Sequence, residues 1–316
     1  MPQKVGIKTL AIGKQFIGFC IVRKKELRHK SNGEPYLHLE LGDWSGRLTA
    51  KIWNEVEKYN NLFDVGNIIK IKAVVQQFQD RKDLKILRLR KIQPKDNIDL
   101  KLLLPKSEKD ISKLRDHFFE HINSIKNPEL QKVLKNIFSD EFAEQFFISP
   151  AGKLWHHNYL FGMLEHVVAM LDIADLLKKH YPLLNIDLLK SGIILHDIGK
   201  IKGYDAKGFI EYTDEGRLLG HITLGFDFVK QKIDEIENFP KELRKQLLHI
   251  LLSHQGKLEQ GSPVVPQTLE AVSLHYINEL DSKTNALSRI IENDILSDSA
   301  WSKFIPLLDR FIYFRE

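Results

Sequence analysis

The first third of the chain contains short apolar stretches separated by turn-forming residues, which is typical of a small β domain. In one stretch the polarity alternates, so that Leu37, Leu39 and Leu41 share one face of a strand. Residues 55–63 have the spacing of a short helix. Five strands with a helix after the third predict a closed barrel of the OB type. The predicted strands cover residues 15–24, 36–41, 47–53, 67–75 and 84–92.

From residue 96 onward the apolar residues recur with helical spacing, after a linker predicted around Pro94 and Pro105. Asn158 is the predicted N-cap of the fourth helix, and Pro240 is predicted at the start of the seventh. The predicted helices cover residues 107–126, 127–138, 139–147, 158–180, 186–198, 217–236, 241–254 and 267–292.

These patterns predict a multidomain β + α protein. We expect a five-stranded OB-type barrel in residues 1–95 and a helical linker in residues 96–150 that packs on the following domain. An all-α helical bundle is expected in residues 151–316.

Composition excludes several classes of protein. No stretch approaches the roughly 20 apolar residues that span a membrane, so we expect no membrane segment. Residues 1–10 lack the apolar segment of a secretory signal. Cys20 is the single cysteine, which excludes an internal disulfide and a cysteine-based zinc site and fits a reducing cytoplasm. Any metal must therefore be held by histidines and carboxylates, and the sequence leaves a homo-oligomer open.

The positive charge is concentrated at the N-terminus. Residues 1–95 contain 20 Lys and Arg against 9 Asp and Glu, whereas the remainder contains 27 against 33. A basic module predicts binding to nucleic acid, with a solvated basic surface as the alternative. OB barrels bind single strands by stacking bases on aromatic side chains in a basic groove. The candidate stacking residues, for which core packing is the alternative, are Tyr36, Trp53 and Phe78. The candidate phosphate contacts are Arg47, Lys51, Lys70, Lys72, Arg81 and Lys82.

A set of hard-metal ligands lies at wide spacing on the predicted helices. In the segment LHDIGK at 195–200, Asp197 is placed in an apolar helix, where a carboxylate is costly unless it is paired or binds a metal. His196 supplies a nitrogen ligand, and Lys200 lies one turn further on the same face, where it can reach an oxyanion at the metal. A bundle brings inward-facing residues of separate helices together. The further candidate ligands are His166, His221, His254 and Asp281.

Imidazole and carboxylate without thiolate favour Mn²⁺, Fe²⁺, Co²⁺ or Zn²⁺ over Mg²⁺. One or two ions fit the ligand set. Asp197 can bridge two metals about 3.5–4 Å apart and position a hydroxide for in-line attack on phosphorus. The residues therefore predict metal-dependent phosphoryl chemistry.

His166, the pair His196-Asp197 and Asp281 match the H…HD…D signature of the HD superfamily. Over residues 12–315 the chain resembles the YhaM-type 3′→5′ exoribonucleases, in which an OB domain precedes an HD domain. That resemblance implies a characteristically manganese-dependent hydrolase that trims RNA or single-stranded DNA from the 3′ end and releases nucleoside monophosphates. It is carried by HHNYLFGMLEH at 156–166, YT at 212–213, LLGHI at 218–222, SHQGKLE at 253–259, GSP at 261–263 and LHYINELD at 274–281, and in the barrel by GD at 42–43 and AKIW at 50–53.

One position departs from this resemblance. The family pattern usually reads Ser-His-His-Gly where this chain has Gln255 after His254. If the second histidine of that pair is a ligand, a second metal site is altered here. Taken alone, His221 and His254 fit core or capping positions, and the resemblance favours metal binding.

The remaining histidines and some groove residues complete the predicted site. His156 and His157 precede a predicted helix N-terminus, where anions are favoured, so we expect a role with substrate phosphate or a structural one. Substrate contacts are also expected from Lys257, Tyr212, Gly261 and Ser262. His249 and His275 are expected to be structural, and the solvated or interface positions are His117, His121 and His180.

Together these features predict a metal-dependent 3′→5′ exonuclease acting on single-stranded RNA, with single-stranded DNA as a further substrate class. The predicted catalytic residues are Asp197, Lys200 and His157. Two alternatives remain open at this point. One is an HD phosphohydrolase of small or cyclic nucleotides, and the other is a nucleic-acid-binding protein with a weakened HD site.

Overall fold

In a computed structural model, the chain is described at residues 6–78, 81–96, 98, 103–153, 155–205, 210–294, 300–302, 304–306 and 308–313. The described residues group into two compact units, one that extends to Lys106 and one that begins at Ser107. Among these residues, no helix is both long enough and apolar enough to cross a membrane. The domain boundaries at residues 95 and 150 stay a prediction.

The first unit is a closed five-stranded barrel, which confirms the predicted OB-type fold. Its strands are arranged in the order β1-β2-β3-β5-β4, and β4 pairs with β1 to close the barrel. All neighbouring pairs are antiparallel except β3 with β5, which run parallel. The elements are β1 Gln15–His29, β2 Pro35–Asp43, β3 Gly46–Ile52, α1 Val56–Leu62, β4 Ile68–Phe78 and β5 Arg81–Lys91.

The long first strand closes the barrel because its two halves pair with different neighbours. Residues 15–21 pair with β4, and residues 21–29 pair with β2, with an irregularity between Val22 and Lys24. The alternation read from the sequence is realised in β2, where Leu37, Leu39 and Leu41 are fully buried in the barrel core. The intervening side chains of β2 therefore face outward.

The second unit is helical, as predicted, with one small hairpin. Its apolar side chains form a continuous core to which the first three helices of the unit also contribute. The helices are α2 Ile111–Ser124, α3 Pro128–Ile137, α4 Asp140–Ile148, α5 Gly162–His180, α6 Ile186–Leu195, α7 Lys200–Gly203, α8 Asp214–Leu218, α9 Gly220–Asp234, α10 Lys241–Ser253 and α11 Leu269–Asp294. The hairpin consists of β6 Tyr204–Asp205 and β7 Glu211–Tyr212, and a 3₁₀ turn covers Leu258–Gln260.

The predicted start of α5 is wrong. Asn158 does not cap this helix; the N-cap is Phe161, whose φ of 66° is left-handed, and the helix begins at Gly162. A Cβ at Gly162 would collide with the carbonyl oxygen of His157. The segment before α5 therefore folds back closely against the helix start, and that contact sets the start of the helix in place of a side-chain cap.

Two other predicted helices are shorter than expected. The helix predicted over residues 217–236 is divided into α8 and α9 because Gly220, with φ 74°, interrupts it. The helix predicted over residues 186–198 ends at Leu195, and a turn leads into α7. A Cβ at Gly199 would collide with the carbonyl oxygen of His221, so this turn packs directly on α9. His196 and Asp197 consequently lie at the end of a helix, at the turn.

Candidate metal centre and nucleic-acid interface

His166 and Asp281 form the first part of the site. His166 lies in the first turns of α5 and is fully buried, and its Nδ1 is 2.6 Å from Oδ2 of Asp281 on α11. The same carboxylate oxygen lies 2.9 Å from Nε2 of His157. Because a carboxylate that bonds one ring nitrogen orients the other, Asp281 fixes His166 with its Nε2 directed away from α11.

His196 and His254 are oriented by backbone carbonyls. Nδ1 of His196 donates to the carbonyl oxygen of Ile193 at 2.8 Å, and Nδ1 of His254 donates to that of Leu251 at 2.8 Å. A carbonyl oxygen only accepts, so the proton of each neutral ring is on Nδ1 and the lone pair is on Nε2. Both histidines are therefore held as Nε2 ligands.

Asp197 lies between two groups of histidines. Its Oδ2 is 3.2 Å from Nε2 of His196, and its Oδ1 is 3.4 Å from Nε2 of His221 on α9 and 3.7 Å from Nε2 of His254 at the end of α10. Asp197 is 2% exposed, so nearly all of its charge is removed from water. One oxygen faces each histidine group, which is the arrangement of a carboxylate that can bridge two cations.

Lys200 is buried beside Asp197, on the same face as predicted. Its Nζ donates to Oδ2 of Asp197 at 2.6 Å and to the carbonyl oxygen of Ala151 at 2.6 Å. A buried carboxylate needs a compensating partner, and Lys200 is the one that the chain itself supplies. An ammonium has three donors, which leaves one for a further acceptor.

Several buried polar atoms have no hydrogen-bond partner among the described residues. Four of them lie in this cluster: Nε2 of His166, Nε2 of His196, Oδ1 of Asp197 and Nε2 of His221. Buried lone pairs without a donor are costly, and these four belong to one contiguous set of side chains. All are nitrogen or carboxylate oxygen atoms, so the donor set fits a divalent transition-metal ion.

The candidate ligands form three linked groups. Within each group the ligand atoms lie within 4.8 Å of one another. His166 belongs both to the group that contains Asp281 and to the group that contains His196. Asp197 belongs both to the group that contains His196 and to the group that contains His221. Asp281 contacts the site through His166 and His157, and it is not grouped with His196. The groups are His157 with His166 and Asp281, His166 with His196 and Asp197, and Asp197 with His221 and His254.

Burial sets the protonation of these groups. Burial lowers the pKa of His166 to about 4 despite the neighbouring Asp281, and it also lowers the pKa of His221 to about 4. The pKa of His254 is lowered as well, chiefly by burial. Burial opposes ionisation of Asp197, but Lys200 and His196 hold its pKa well below the usual range. Near neutral pH His166, His221 and His254 are therefore neutral and Asp197 is charged, the forms that bind metal.

His156 and His157 lie against this centre. Both ring nitrogens of His156 are buried without a hydrogen-bond partner among the described residues, and its ring centroid is 5.1 Å from that of His166. Burial lowers the pKa of His156 well below the ordinary value. The backbone of His157 is left-handed, with φ 42°. Because its ring is aimed at Asp281, His157 is part of the ligand cluster, and it also precedes the start of α5 as predicted.

Sequence reasoning missed two residues that hold His157. Its backbone N–H donates to Oδ1 of Asn285 at 2.9 Å, and its Nδ1 lies 2.9 Å from the hydroxyl of Tyr159. Asn285 is one turn beyond Asp281 on α11, so helical spacing from a recognised aspartate is the signal that points to it.

The predicted groove residues lie at different distances from the centre. Tyr212 is half-exposed and its ring is 5.1 Å from that of Tyr204, whose pKa is raised by burial, by Tyr212 and by the charge of Asp197. Ser262 is buried and donates to the carbonyl oxygen of Leu252. Lys257 is exposed before the 3₁₀ turn, and Gly261, with φ 89°, follows that turn. Within the described part of the chain, no hydrogen bond or ion pair joins Lys257 to these histidines.

In the barrel, Tyr36 and Trp53 are brought together. Their rings stack with centroids 4.6 Å apart at 26°, and Trp53 remains 47% exposed. The ammonium groups of Lys30 and Lys51 lie 5.2 and 5.8 Å from the Trp53 ring centroid. The core-packing alternative therefore does not apply to Trp53. An exposed aromatic pair flanked by lysines is suited to stacking a base and neutralising its phosphate.

The other barrel candidates differ in their contacts. Arg47 pairs with Glu40 at 3.1 Å, and Lys70 lies 4.0 Å from Asp96 and over the ring of Phe19. Lys82 donates to two backbone carbonyls near the N-terminus. Lys72 is half-buried on β4. The side chains of Phe78 and Arg81 lie outside the described residues.

Two family descriptions match the chain in the order of its two units. The description "OB-fold nucleic acid binding domain" matches residues 21–92, and "HD domain" matches residues 163–283. The first range covers the barrel strands from the middle of β1 to the end of β5. The second contains the histidine and aspartate cluster from His166 to Asp281.

Curated relatives match the chain over most of its length. The 3′-5′ exoribonuclease YhaM of Oceanobacillus iheyensis is 37% identical over 289 residues, which cover 92% of this chain and 90% of the relative. The protein of the same name from Bacillus subtilis is 33% identical over 287 residues, covering 91% of each. Its namesake from Listeria welshimeri is 33% identical over 275 residues, covering 87% of each.

Proposed function

Because the chain belongs to the family of the YhaM 3′-5′ exoribonucleases, we propose that it hydrolyses single-stranded RNA from the 3′ end and releases nucleoside monophosphates. The observation that carries this proposal is the position of Asp197 between two groups of histidines, three of which (His166, His196 and His221) have a buried Nε2 without a hydrogen-bond partner among the described residues. An OB-fold nucleic-acid-binding match ahead of an HD match supports a nucleic acid as the substrate. Single-stranded DNA has the same kinds of group, bases and phosphates, that the barrel would bind in RNA, so it is a further substrate class.

The ligand set supports one or two divalent ions, for which we propose Mn²⁺; Fe²⁺, Co²⁺ and Zn²⁺ satisfy the same preferences. The metal, when bound, lowers the pKa of a water and neutralises charge on the phosphoryl oxygens. Asp197 would be shared by the two ions. The residues that would hold them are His166, His196, Asp197, Asp281, His221 and His254.

Lys200 and the two adjacent histidines would handle the substrate phosphate. Two of the three ammonium protons of Lys200 are used by Asp197 and Ala151, and the third would bond a phosphoryl oxygen and so stabilise charge in the transition state. His157, whose Nε2 faces Asp281, would hold or protonate an oxygen of the scissile phosphate. His156 would contact the same phosphate through its unpartnered ring nitrogens.

The barrel would bind the strand. Trp53 stacked on Tyr36 offers an exposed ring to one base, and Lys51 and Arg47 would contact neighbouring phosphates. Lys257, which belongs to the helical unit, would also contact the bound strand. Binding of this kind weakens as salt concentration rises, because counterions are released from the phosphates.

The test compares the products made by the wild type and by the Asp197→Ala variant from a short 5′-labelled RNA, with Mn²⁺ and with Mg²⁺. We expect a ladder of 3′-shortened products and nucleoside monophosphates from the wild type. The variant should make neither, while its affinity for the RNA is unchanged. Asp227→Ala is a matched control, since it removes an exposed aspartate on α9 and should leave the ladder intact.

Three outcomes would contradict the proposal. Turnover that survives in Asp197→Ala would show that the Asp197 carboxylate takes no part in the reaction. Hydrolysis of free or cyclic nucleotides without any RNA ladder would identify a small-molecule phosphohydrolase instead. Normal RNA binding with less than one activating metal per chain would identify a binding protein with a weakened HD site.

A further inference from the structure

A second cluster of metal-ligand side chains lies outside the candidate catalytic centre. His117 and His121 are one turn apart on α2, and Asp172 faces them from α5. This cluster shares no residue with the groups around Asp197. Although Asp172 and His166 lie on the same helix, six residues separate them, which is about 9 Å along the axis. Both histidines were expected at solvated or interface positions, yet His121 is buried.

Two of the three distances between the ligand atoms match a tetrahedral site, and all three atoms lie within 4.8 Å of one another. Nε2 of His117 is 3.3 Å and Nε2 of His121 is 3.2 Å from the same oxygen, Oδ1 of Asp172. Zinc bonds of roughly 2.0–2.1 Å at tetrahedral angles put neighbouring ligand atoms about 3.3–3.4 Å apart. The two imidazole rings stack with centroids 4.6 Å apart and 24° between planes, so both face Asp172 side by side.

Hydrogen bonding alone does not satisfy His121. Its Nε2 faces Asp172, and its Nδ1 lies 3.5 Å from Oδ2 of Asp175. A neutral imidazole has one N–H, so one of its nitrogens would present a lone pair to a carboxylate oxygen. Either a second proton or a metal ion resolves that contact.

Asp175 and Lys190 complete the surroundings of a metal-binding histidine. A ligating histidine characteristically donates its other ring N–H to a carboxylate, which fixes the ring and its tautomer. Oδ2 of Asp175 faces Nδ1 of His121 at 3.5 Å, slightly beyond an ordinary hydrogen bond, and Asp175 is itself held by Lys190 at 2.8 Å. The Lys190 ammonium also donates to Ser124 at 2.9 Å and neutralises one of the two carboxylates. The negative charge of Asp172 remains to attract a cation.

We propose that His117, His121 and Asp172 form a second metal site, which takes a zinc-like divalent transition ion and links α2 to α5. The three protein ligands leave one coordination position for water. His117 and Asp172 are about half exposed, so the ion would exchange with solvent. Because α5 also carries His166, an ion at this site would stabilise the helix that positions a catalytic ligand. Its role is to link helices, and the reaction does not depend on it.

The test uses the full-length chain without a polyhistidine tag. After equilibration with micromolar Zn²⁺ and removal of free metal, the zinc content is measured by mass spectrometry. We expect His117→Ala and Asp172→Asn each to contain one zinc ion per chain fewer than the wild type. His180→Ala, which removes an exposed histidine from the end of α5, should retain the wild-type content. Since His117 and Asp172 are exposed, neither change should prevent folding, and hydrolysis of RNA with Mn²⁺ should continue.

Calorimetric titration of Zn²⁺ into Asp197→Ala isolates the second site from the catalytic one. One ion should bind in that background, and adding His117→Ala should weaken its binding by at least about tenfold. Zn²⁺ should also raise the melting temperature of Asp197→Ala and not that of the double variant. Unchanged zinc content in His117→Ala, or equal affinity in the single and double variants, would overturn the site. Neither result depends on whether the chain degrades RNA.

Discussion

The helical unit and the barrel hold their polar residues in opposite ways. In the helical unit, Asp197 and His254 are 2% and 0% exposed, and their partners are fixed by carbonyls, carboxylates and Lys200. In the barrel, Trp53 is 47% exposed and the lysines beside it lie on the surface. The buried groups depend on a cation for their solvation, whereas the exposed ones are already solvated by water.

This difference separates the two contributions to function. Charges fixed in a dry site can act on a reacting phosphate at little reorganisation cost, so they belong to the chemical step. An exposed aromatic ring contributes mainly to strand affinity, because any base can stack on it. Mutations in the helical unit should therefore lower kcat, and mutations in the barrel should raise KM or Kd.

The largest expected effect is on the chemical step. In His196→Ala, kcat for RNA should fall on the order of 10²–10³-fold with Mn²⁺, which is the scale of removing one group from a preorganised electrostatic site. The Kd for the same RNA, measured without turnover, should stay unchanged because the barrel is intact. His180→Ala serves as the control for removing a histidine. If Kd rose by the same factor by which kcat fell, binding and catalysis would not be separated between the barrel and the helical unit.

The next effect concerns pH. The pKa of His166 is about 4 in the folded chain against 6.5 for an ordinary histidine, so the unfolded chain binds more protons between these values. The metal-free protein should therefore be most stable above pH 6.5 and lose stability as the pH falls toward 4. That histidine alone accounts for about 3 kcal/mol of the loss.

Urea unfolding of the chelator-treated chain across this range measures the effect. His166→Gln should flatten the dependence, and His180→Gln, which changes an exposed histidine, should not. A dependence that is equally steep in His166→Gln would exclude His166 as its source.

The burial that drives this pH effect is also what made the catalytic cluster predictable from the sequence. Asp197 in an apolar segment needs a partner, and that requirement is visible in the order of residues alone. The barrel was predictable for a related reason, since alternation such as that of Leu37, Leu39 and Leu41 requires one buried face. Both predictions depend on a free-energy cost: that of burying an unpaired polar side chain, or that of exposing an apolar one.

Features set by a local fold-back of the backbone or by contacts distant in the chain were not predictable. The start of α5 depends on the fold-back of His157 against Gly162, and no residue near Asn158 signals it. His157 is aimed at a carboxylate 124 residues away. His117 and His121 have the spacing of two metal ligands on one helix. The third ligand, Asp172, comes from another helix, so the histidines alone did not indicate the cluster.

A smaller effect is expected from the barrel. Trp53→Ala should weaken binding to single-stranded RNA by about 1–3 kcal/mol, because one stacked base loses its platform. The kcat at saturating RNA should not change. Trp53→Phe should recover much of the affinity, since every base can stack on an aromatic face. Filter binding at two salt concentrations measures this, and an unchanged Kd in Trp53→Ala would exclude the Tyr36–Trp53 pair as a base platform.

The smallest effect tests the position at which the chain departs from its family. Nε2 of Gln255 lies 3.3 Å from Nε2 of His254, so its amide occupies the face on which His254 would meet a metal. An imidazole at position 255 can bind the metal itself or orient His254 as a ligand. In Gln255→His, the Mn²⁺ concentration that gives half-maximal activity should therefore fall about tenfold. Gln260→His is the matched control, since it adds an imidazole in the exposed 3₁₀ turn. If both variants keep the wild-type Mn²⁺ dependence, residue 255 lies outside the coordination sphere, and the second ion depends on Asp197, His221 and His254 alone.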